Sequence, residues 1–348
     1  MTPTHLITVI IPTLNRDQFL QKCLISLIRQ NHPQDEYEIL VIDNGSTDRT
    51  KQITEDIIQQ NPDHHIRYIY EPEPGLLSGR HRGALEAKGD ILVFVDDDIE
   101  ADPNWLSAIH EAFQDPSVQL VGGRNLPKYE SIPPEWLEYF WIKHPFGKYL
   151  GELSLLDFGE KIQEIDANFV WGLNFSIRRQ ALFDLRGFHP DSIPKHLQHF
   201  QGDGETGLTL KANQLGYKAI YQPKALVFHQ VPKSRMTYEY FEQRYFFQGV
   251  CNSYTRIREL GHLPQSSIRD KIKTQTKVLL KKLRGKVFKN SSLESEEQFL
   301  KSRFLQSMNA GYQFHQNAVR RNPLLLDWVL KSDYWDYKLP NIHFNNLN

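Results

Sequence analysis

The sequence is poor in cysteine: only Cys23 and Cys251 carry a thiol among its 348 residues. Two thiols cannot build a disulfide framework, so the composition favours a reducing compartment. No apolar run approaches the roughly 18 residues that a membrane-spanning helix needs. Residues 1–11 show no basic segment ahead of an apolar core, so no signal peptide is predicted. These absences predict a cytoplasmic protein and leave open peripheral contact with the inner face of the cell membrane.

The charges nearly balance, because 41 Lys and Arg face 42 Asp and Glu, for a formal net charge of -1. No global field therefore points to nucleic acid. The exception is residues 269–289, which are rich in lysine, hold one acid and place apolar residues at helical spacing. A basic amphipathic helix can lie on an anionic membrane surface, or it can be a solvated helix packed on the main domain. Both interpretations stay open for this segment.

A short apolar run at residues 91–95 (ILVFV) is typical of a buried strand, and Asp96, Asp97 and Asp98 follow it directly. Ligands bind at the carboxyl ends of strands in open α/β sheets. Three adjacent carboxylates repel one another unless a cation offsets them, and a hard divalent cation prefers oxygen ligands. Taken alone, such a triplet is more often a polar exit from a strand.

The first hundred residues alternate strand and helix patterns. Apolar, β-branched strands at 6–11, 38–42 and 66–70 are each followed by apolar residues at helical spacing. This alternation predicts right-handed βαβ units and a mostly parallel sheet flanked by helices. Pro12 and Thr13 then end the first strand, and Asp43 ends the second.

The pattern is less regular after Asp98. Residues 125–159 are rich in aromatic residues and proline without a clear period, which is typical of functional loops. A strand is expected at 167–177, a helix at 206–215 and two short strands at 218–221 and 225–229. From about residue 236 the sequence is mostly helical in character.

Several motifs together resemble the family 2 glycosyltransferases with the GT-A fold. They are PTLNR at 12–16, DNGSTD at 43–48, GDILVFVDDD at 89–98, GLN at 172–174, GDGE at 202–205, GY at 216–217 and ALVFH at 225–229. The resemblance covers roughly residues 5–232. It implies a GT-A domain at 1–235, with a nucleotide-sugar half at about 1–123 and an acceptor half at about 124–235. Residues 236–348 would form a mostly helical C-terminal extension.

The resemblance also implies roles for individual residues. The acids of its D-x-D motif fall on Asp96 and Asp98. Nucleotide-sugar binding would involve Pro12, Thr13, Asn15, Asp43, Arg80, Asp96 and Asp97. Asp98 and His229 would hold a divalent cation, Mg²⁺ or Mn²⁺. Acceptor binding would involve Trp171, Gly172 and Glu205.

Some of these residues also have simpler explanations. Arg80 can lie on an exposed helix face, and Trp171 can be an ordinary core residue. A histidine that ends an apolar strand, such as His229, is more often a satisfied core residue than a ligand.

The implied reaction is inverting transfer from a UDP-, GDP- or dTDP-sugar to a glycan or lipid-linked acceptor, as in polysaccharide biosynthesis. Such transfer needs a general base for the acceptor hydroxyl. Asp203 matches the family's catalytic acid. The family usually has Glu-Asp at this point, whereas this sequence has Gly202 and Asp203. Glu205 could substitute or bind the acceptor, and Asp203 could also cap the following helix.

Two other classes of protein share parts of this pattern. A nucleotidyltransferase acting on sugar phosphates usually carries a glycine-rich phosphate loop near the first strand, but residues 12–16 contain no glycine. A non-catalytic nucleotide- or glycan-binding protein with the same fold would be expected to have lost Asp203 or an acid of the 96–98 triplet. All four acids are present.

Overall fold

The computed structural model describes residues 6–264 and 296–342. The basic segment 269–289 lies outside these residues, so its predicted helix stays a prediction. Within the two described ranges, no helix is long and apolar enough to cross a membrane.

The first part of the chain alternates strands and helices as its sequence pattern predicts. Apolar, β-branched segments form the strands because their side chains fit a buried, pleated surface. The elements are β1 (Ile7–Thr13), α1 (Asp17–Ile28), β2 (Tyr37–Asp43), α2 (Thr50–Gln60), β3 (Ile66–Tyr70), α3 (Leu76–Glu86) and β4 (Ile91–Val95). β1 pairs in parallel with β2 and with β4, and β2 pairs in parallel with β3. The carboxyl ends of these strands therefore meet at one edge of the sheet.

The middle of the chain extends the sheet with shorter strands. It contains β5 (Ile99–Ala101), α4 (Trp105–Ala112), β6 (Val118–Tyr129), β7 (Ile142–His144), β8 (Gly147–Leu150), β9 (Leu155–Asp157), β10 (Gln163–Ile165), β11 (Asn174–Arg178), α5 (Arg179–Asp184), α6 (Glu205–Gln214) and β12 (Lys218–Val231). β11 runs antiparallel between β4 and β6. β12 runs antiparallel to β5 and sets His229 opposite Ile99, one residue after the acid triplet.

Three predicted strands differ from those observed. The strand expected at 167–177 is confined to β11, because residues 167–169 form a 3-10 turn capped by the Asp166 side chain, which accepts a hydrogen bond from the Asn168 amide. The two strands expected at 218–221 and 225–229 are one strand, β12, with a register shift between Gln222 and Val227. Pro223 lies within that shift. Because proline has no N–H to donate to a sheet, the sequence predicts two strands here, whereas the structure has one strand with an irregular pairing.

The C-terminal region is helical, as predicted: α7 (Tyr238–Leu260) and α8 (Glu296–Arg321) pack against each other, and α9 (Pro323–Val329) follows. Two glycines allow this close packing. A Cβ at Gly249 would overlap the Met308 carbonyl oxygen, and a Cβ at Gly311 would overlap that of Phe246. Each helix thus presents a glycine to the backbone of the other.

The core lies on both faces of the sheet. Alternate residues of the central strands point to opposite faces: Val9 and Val93 belong to one cluster, Ile10 and Phe94 to the other. The cluster around Phe94 also contains Tyr254, Ile257, Val329 and Tyr334 from the C-terminal region. The C-terminal helices therefore cover one face of the sheet and share its core.

Residues 330–342, here called the C-terminal strap, cross the outside of α3. His81 Nδ1 donates to the Tyr334 carbonyl at 2.9 Å, and the ring of Trp335 stacks on His81 at 4.2 Å between centroids. The Tyr337 hydroxyl donates to Glu71 at 2.8 Å. These contacts tie the end of the described chain to α3 and to the residue that follows β3.

Candidate active site

The ends of β1, β2 and β4 bring predicted donor-site residues together. Thr13 Oγ1 donates to Asp97 Oδ2 at 2.7 Å, which links the tip of β1 to the acid triplet. Asp43 is buried at the tip of β2. Its Oδ1 accepts from the Ser46 amide at 2.7 Å and its Oδ2 from the Tyr68 hydroxyl at 2.6 Å. The carboxylate of Asp43 is thereby held in a fixed orientation.

Two further predicted residues fix the loops around these tips. Asn15 has a left-handed backbone with φ of 53°, and its Oδ1 accepts from the Thr47 amide at 2.8 Å. Pro12 lies against α3 so closely that a Cβ at Gly79 would be 2.9 Å from Pro12 Cβ. The loop after β1 is therefore locked to the loop after β2 and to α3.

Asp98 is the most enclosed acid of the triplet, with 2% of its surface exposed. Its Oδ2 accepts from Arg235 Nη2 at 2.8 Å and also contacts Arg16 Nη2. Its Oδ1 has no hydrogen-bond partner among the described residues and lies 3.4 Å from His229 Nε2. Burial alone would raise the pKa of Asp98, but the neighbouring His229, Arg235 and Arg16 hold it well below its ordinary value. Asp98 is therefore a carboxylate at neutral pH.

His229 presents a ring nitrogen to the same space. Its Nδ1 donates to the Leu153 carbonyl at 2.8 Å, so Nε2 carries the lone pair. Arg235 Nη1 donates to this lone pair at 2.6 Å, and Asp98 Oδ1 lies 3.4 Å from the same ring nitrogen. When Arg235 turns away, the orphaned carboxylate oxygen and the imidazole lone pair form a donor set that fits a divalent cation such as Mn²⁺.

Asp97 and Asp96 differ from Asp98 in their surroundings. Burial raises the pKa of Asp97 to about 7, against the lowering effect of Arg16, whose Nε lies 3.3 Å from Asp97 Oδ1. Asp96 is only partly buried, and its pKa is raised first by burial and then by the charge of Asp98. The three acids thus differ in how readily each carries a negative charge.

Arg80 forms an ion pair with Glu205. Its guanidinium is buried, with Nη1 3.2 Å from Glu205 Oε2 and Cζ 5.0 Å from the centroid of the Phe188 ring. The Gly172 amide donates to Glu205 Oε1 at 3.1 Å, and a Cβ at Gly172 would overlap Arg80 Nη2. Burial would raise the pKa of Glu205, but Arg80 and backbone amides including that of Gly172 lower it. Glu205 is therefore ionised at neutral pH.

Asp203 lies two residues from Glu205 but faces another way. Its Oδ1 lies 2.6 Å from His189 Nδ1, and its Oδ2 accepts from the Thr255 hydroxyl of α7 at 2.6 Å. Burial would raise the pKa of Asp203, but His189 and Thr255 lower it. The helix-cap alternative does not hold, because Gly204 is the N-cap of α6 and no side chain caps that end.

Two adjoining cavities meet at Glu205. One, of about 290 Å³, is lined by Tyr149, Trp171, Glu205, Arg244, Tyr245 and Gln248, among others. The other, of about 400 Å³, is lined by Asp191, Asp203, Glu205, Arg244, Gln248 and Cys251, among others. Trp171, predicted either to bind the acceptor or to be plain core, lines the first cavity. Its Nε1 donates to the Asn168 carbonyl at 2.9 Å.

The sequence pattern did not reveal several residues of this site. Arg235, Arg244 and Gln248 lie beyond the stretch that carries motifs. His189 lies within that stretch but belongs to no motif. Arg16 belongs to the PTLNR motif and follows the end of β1 by three residues. Its place just after a strand end is the feature of the sequence that could have indicated a position beside the acids.

Residues 8–185 match the profile of Glycosyl transferase family 2. The glucosyl-dolichyl phosphate glucuronosyltransferase of Haloferax volcanii is 22% identical over 266 residues, which cover 75% of this chain and 79% of that protein. Glycosyltransferase GlyA of Streptococcus pneumoniae is 27% identical over 237 residues, 66% of this chain but 31% of the relative.

A solved structure of similar fold is the mannosyltransferase PcManGT from Pyrobaculum calidifontis in complex with GDP-Man and Mn²⁺. It is 18% identical, with a TM-score of 0.52 over 97% of this chain and 89% of that chain. At this identity the likeness concerns the fold, which confirms the GT-A type sheet and helical C-terminal region expected from the motifs. The profile match covers half of the chain. The chain therefore belongs to glycosyl transferase family 2 and is a glycosyltransferase.

Proposed function

We propose that this glycosyltransferase moves a sugar from a nucleoside diphosphate sugar to a hydroxyl of a glycan or lipid-linked acceptor, with inversion at the anomeric carbon. The observation that carries the proposal is the unpartnered Oδ1 of Asp98, which lies 3.4 Å from His229 Nε2 beside the strand tips. The relative from Haloferax volcanii is named for a lipid-linked acceptor, and PcManGT was solved with GDP-Man and Mn²⁺. Family membership favours glycosyl transfer over nucleotidyl transfer and over simple binding.

Asp98 and His229 would hold the divalent cation, Mn²⁺ or Mg²⁺. Such a cation acts as a Lewis acid that offsets the charge developing on a departing diphosphate. Arg16 and Arg235 contact Asp98 now and would turn to the phosphate oxygens when the donor enters. Guanidinium groups suit this task because their planar fork matches phosphate geometry.

The nucleoside would lie across the tips of β1 and β2. Asp43 has further lone pairs beyond the two hydrogen bonds that hold it, and it can accept from a base or ribose. Pro12, Thr13 and Asn15 shape the wall of this pocket. Asp96 and Asp97 would contact the ribose and sugar, and Arg80 would lie between the donor sugar and Glu205.

The general base must reach the acceptor hydroxyl. Asp203 lines only the larger of the two cavities, and its contacts with His189 and Thr255 turn its carboxylate toward α7. Glu205 lines both cavities and is held by Arg80 and the Gly172 amide. We therefore favour Glu205 as the base and give Asp203, the sequence-based candidate, a positioning role through His189 and Thr255.

The acceptor would enter the cavity beside Trp171. Tyr149 and Tyr245 line the same space, and aromatic rings offer apolar faces on which a sugar ring can pack. Helix α7, which lies beyond residue 235, contributes Arg244, Tyr245 and Gln248 to this cavity. The proposed acceptor site therefore includes residues of the C-terminal extension.

The donor is tested first with the full chain. A thermal-shift panel of nucleoside diphosphates with Mn²⁺ should single out one base, because a ligand of the folded state raises its apparent stability. Release of nucleoside diphosphate from the matching sugar donor should stop in EDTA and return with Mn²⁺ or Mg²⁺. Full turnover in EDTA would contradict the metal role.

The base is tested by two isosteric variants. Glu205→Gln should reduce transfer by about 10²- to 10⁴-fold, the range for loss of a general base, while donor binding persists. Asp203→Asn should reduce transfer less. The reverse order of effects would return the role of base to Asp203.

We also propose that residues 269–289 bring the enzyme to anionic lipid. Deleting 265–290 should weaken co-sedimentation with vesicles containing phosphatidylglycerol and leave donor binding unchanged. Equal binding by both forms would contradict this part of the proposal.

A further inference from the structure

Three potential metal ligands meet far from the acid triplet. His32 follows α1, Glu36 ends the 3-10 turn Gln34–Glu36 just before β2, and His110 lies in α4. One ligand atom from each lies within 4.8 Å of the others. The His32 and His110 rings are edge to face, with centroids 5.2 Å apart. The fold thus brings two imidazoles and one carboxylate into one small cluster.

His32 supplies a second, independent observation. Its side chain is 3% exposed, and Nε2 lies 3.6 Å from Glu36 Oε2, too far for a hydrogen bond. Among the described residues this buried Nε2 has no hydrogen-bond partner. Buried polar atoms in proteins nearly always have one, so an orphaned ring nitrogen aimed at a carboxylate and a second imidazole indicates a missing ligand.

Both imidazoles offer the form that metals bind. Burial, and then the neighbouring His110, lower the pKa of His32, so its ring is neutral at pH 7. Gln114 Nε2 donates to His110 Nε2 at 2.9 Å, which requires a lone pair on that nitrogen. Gln114 is exposed, and its amide can swing away when a cation arrives.

We propose that His32, Glu36 and His110 form a zinc site. Two imidazole nitrogens and one carboxylate are a common Zn²⁺ ligand set, whereas Mg²⁺ prefers oxygen ligands throughout. Glu36 and His110 are partly exposed, which leaves a path for entry and room for a water molecule as fourth ligand. This site shares no ligand with the proposed donor-cation site at Asp98 and His229, and it lies in another part of the fold.

The position of the cluster indicates a structural role. Glu36 precedes β2, and Asp43 ends it, so the seven-residue strand separates the two sites by roughly 20 Å. The loop before His32 already bonds to the start of α4: the Asn31 amide donates to the Pro103 carbonyl at 2.7 Å, and Gln30 Oε1 accepts from the Leu106 amide at 2.9 Å. A bound Zn²⁺ would fasten the same loop to the far end of α4.

The test counts Zn²⁺ on the full chain in an Asp98→Asn background, which disables the proposed donor-cation site. Protein stripped with chelator is equilibrated with Zn²⁺ at pH 7.5, and bound metal is measured by mass spectrometry after gel filtration. We expect one Zn²⁺ per chain and a Tm that Zn²⁺ raises by several degrees. Mg²⁺ should leave the Tm unchanged. Co²⁺ in place of Zn²⁺ should give the intense visible absorption of tetrahedral coordination.

His110→Gln and Glu36→Gln are the decisive variants, because both residues are partly exposed and the changes spare the core. Each should lower Zn²⁺ affinity at least tenfold and abolish the Tm shift. His262→Gln, which alters an exposed histidine elsewhere, is the control and should bind like the parent. Zinc binding that survives both variants, or that requires Asp98, would overturn the proposal and leave the donor-site proposal unaffected.

Discussion

A single methyl group at Gly172 should disable the enzyme without unfolding it. Gly172 stands at the point where Arg80 meets Glu205, and its amide holds Glu205 Oε1. A Cβ there would overlap Arg80 Nη2, lie 3.0 Å from Arg80 Cζ and lie 3.2 Å from Glu205 Oε1. Gly172→Ala must therefore displace the guanidinium, and with it the carboxylate that we propose as base.

The size of the effect follows from these distances. Ordinary contact begins at 3.4 Å, and the end of a flexible side chain can move at little cost, so the fold survives. The guanidinium must retreat by about 1 Å, and a misplacement of that size costs on the order of 100-fold in rate. This corresponds to about 2.7 kcal/mol in transition-state free energy.

The assay compares kcat, donor-nucleotide binding and Tm for Gly172→Ala and Gly151→Ala. Gly151 lines the cavity that Trp171 and Glu205 also line, but a Cβ there has nothing within 4 Å, so this variant is the control. We expect the control to behave like the parent and Gly172→Ala to lose kcat while it keeps its Tm and nucleotide affinity. A Gly172→Ala enzyme within twofold of the parent would refute the role of the Arg80–Glu205 pair.

Three further predictions concern stability, pH dependence and acceptor binding. Gly249→Ala should destabilise the protein by about 1–3 kcal/mol in urea unfolding, because the new Cβ overlaps the Met308 carbonyl oxygen at the α7–α8 contact; an unchanged midpoint would contradict this packing. In the parent, the loss of kcat/KM that is due to protonation of Glu205 should appear only below pH 4.5, because the pKa of Glu205 is lowered from that value. Arg80→Met removes that positive charge while burial still raises the pKa, so the acidic limb of kcat/KM should move to higher pH; an unmoved limb argues against Glu205 as base. Trp171→Ala should raise the acceptor KM about tenfold and leave the donor KM unchanged, and equal effects on both would place Trp171 outside the acceptor site.

Local patterns predicted the strands and helices of the first hundred residues well. Strands β1, β2 and β4 are apolar and their ends carry polar residues, so the sequence alone indicates that Thr13 and Asp97 approach one another at one edge. Register then places Thr13 beside Asp43 in adjacent parallel strands. His229 is paired with Ile99 through β12, which agrees with its predicted place beside the triplet. The roles of these residues stay predictions.

The rest of the site depends on contacts between residues far apart in the sequence, which motif spacing does not predict. Asp203 meets Thr255 across 52 residues, and Arg235 meets Asp98 across 137. Such partners are set by how α7 packs on the sheet, and residues beyond 235 carry no motif. The division of the chain at residue 235 likewise stays a prediction, since the two parts share one core.

The C-terminal strap has a consequence for synthesis of the chain on the ribosome. Phe94 is made early, yet Tyr334, a member of the same buried cluster, follows it by 240 residues. At ordinary elongation rates the nascent chain carries one uncovered apolar sheet face for tens of seconds. We expect ribosome-bound chains that end before residue 330 to bind chaperones, and full-length chains, in which Trp335 stacks on His81, to bind them much less.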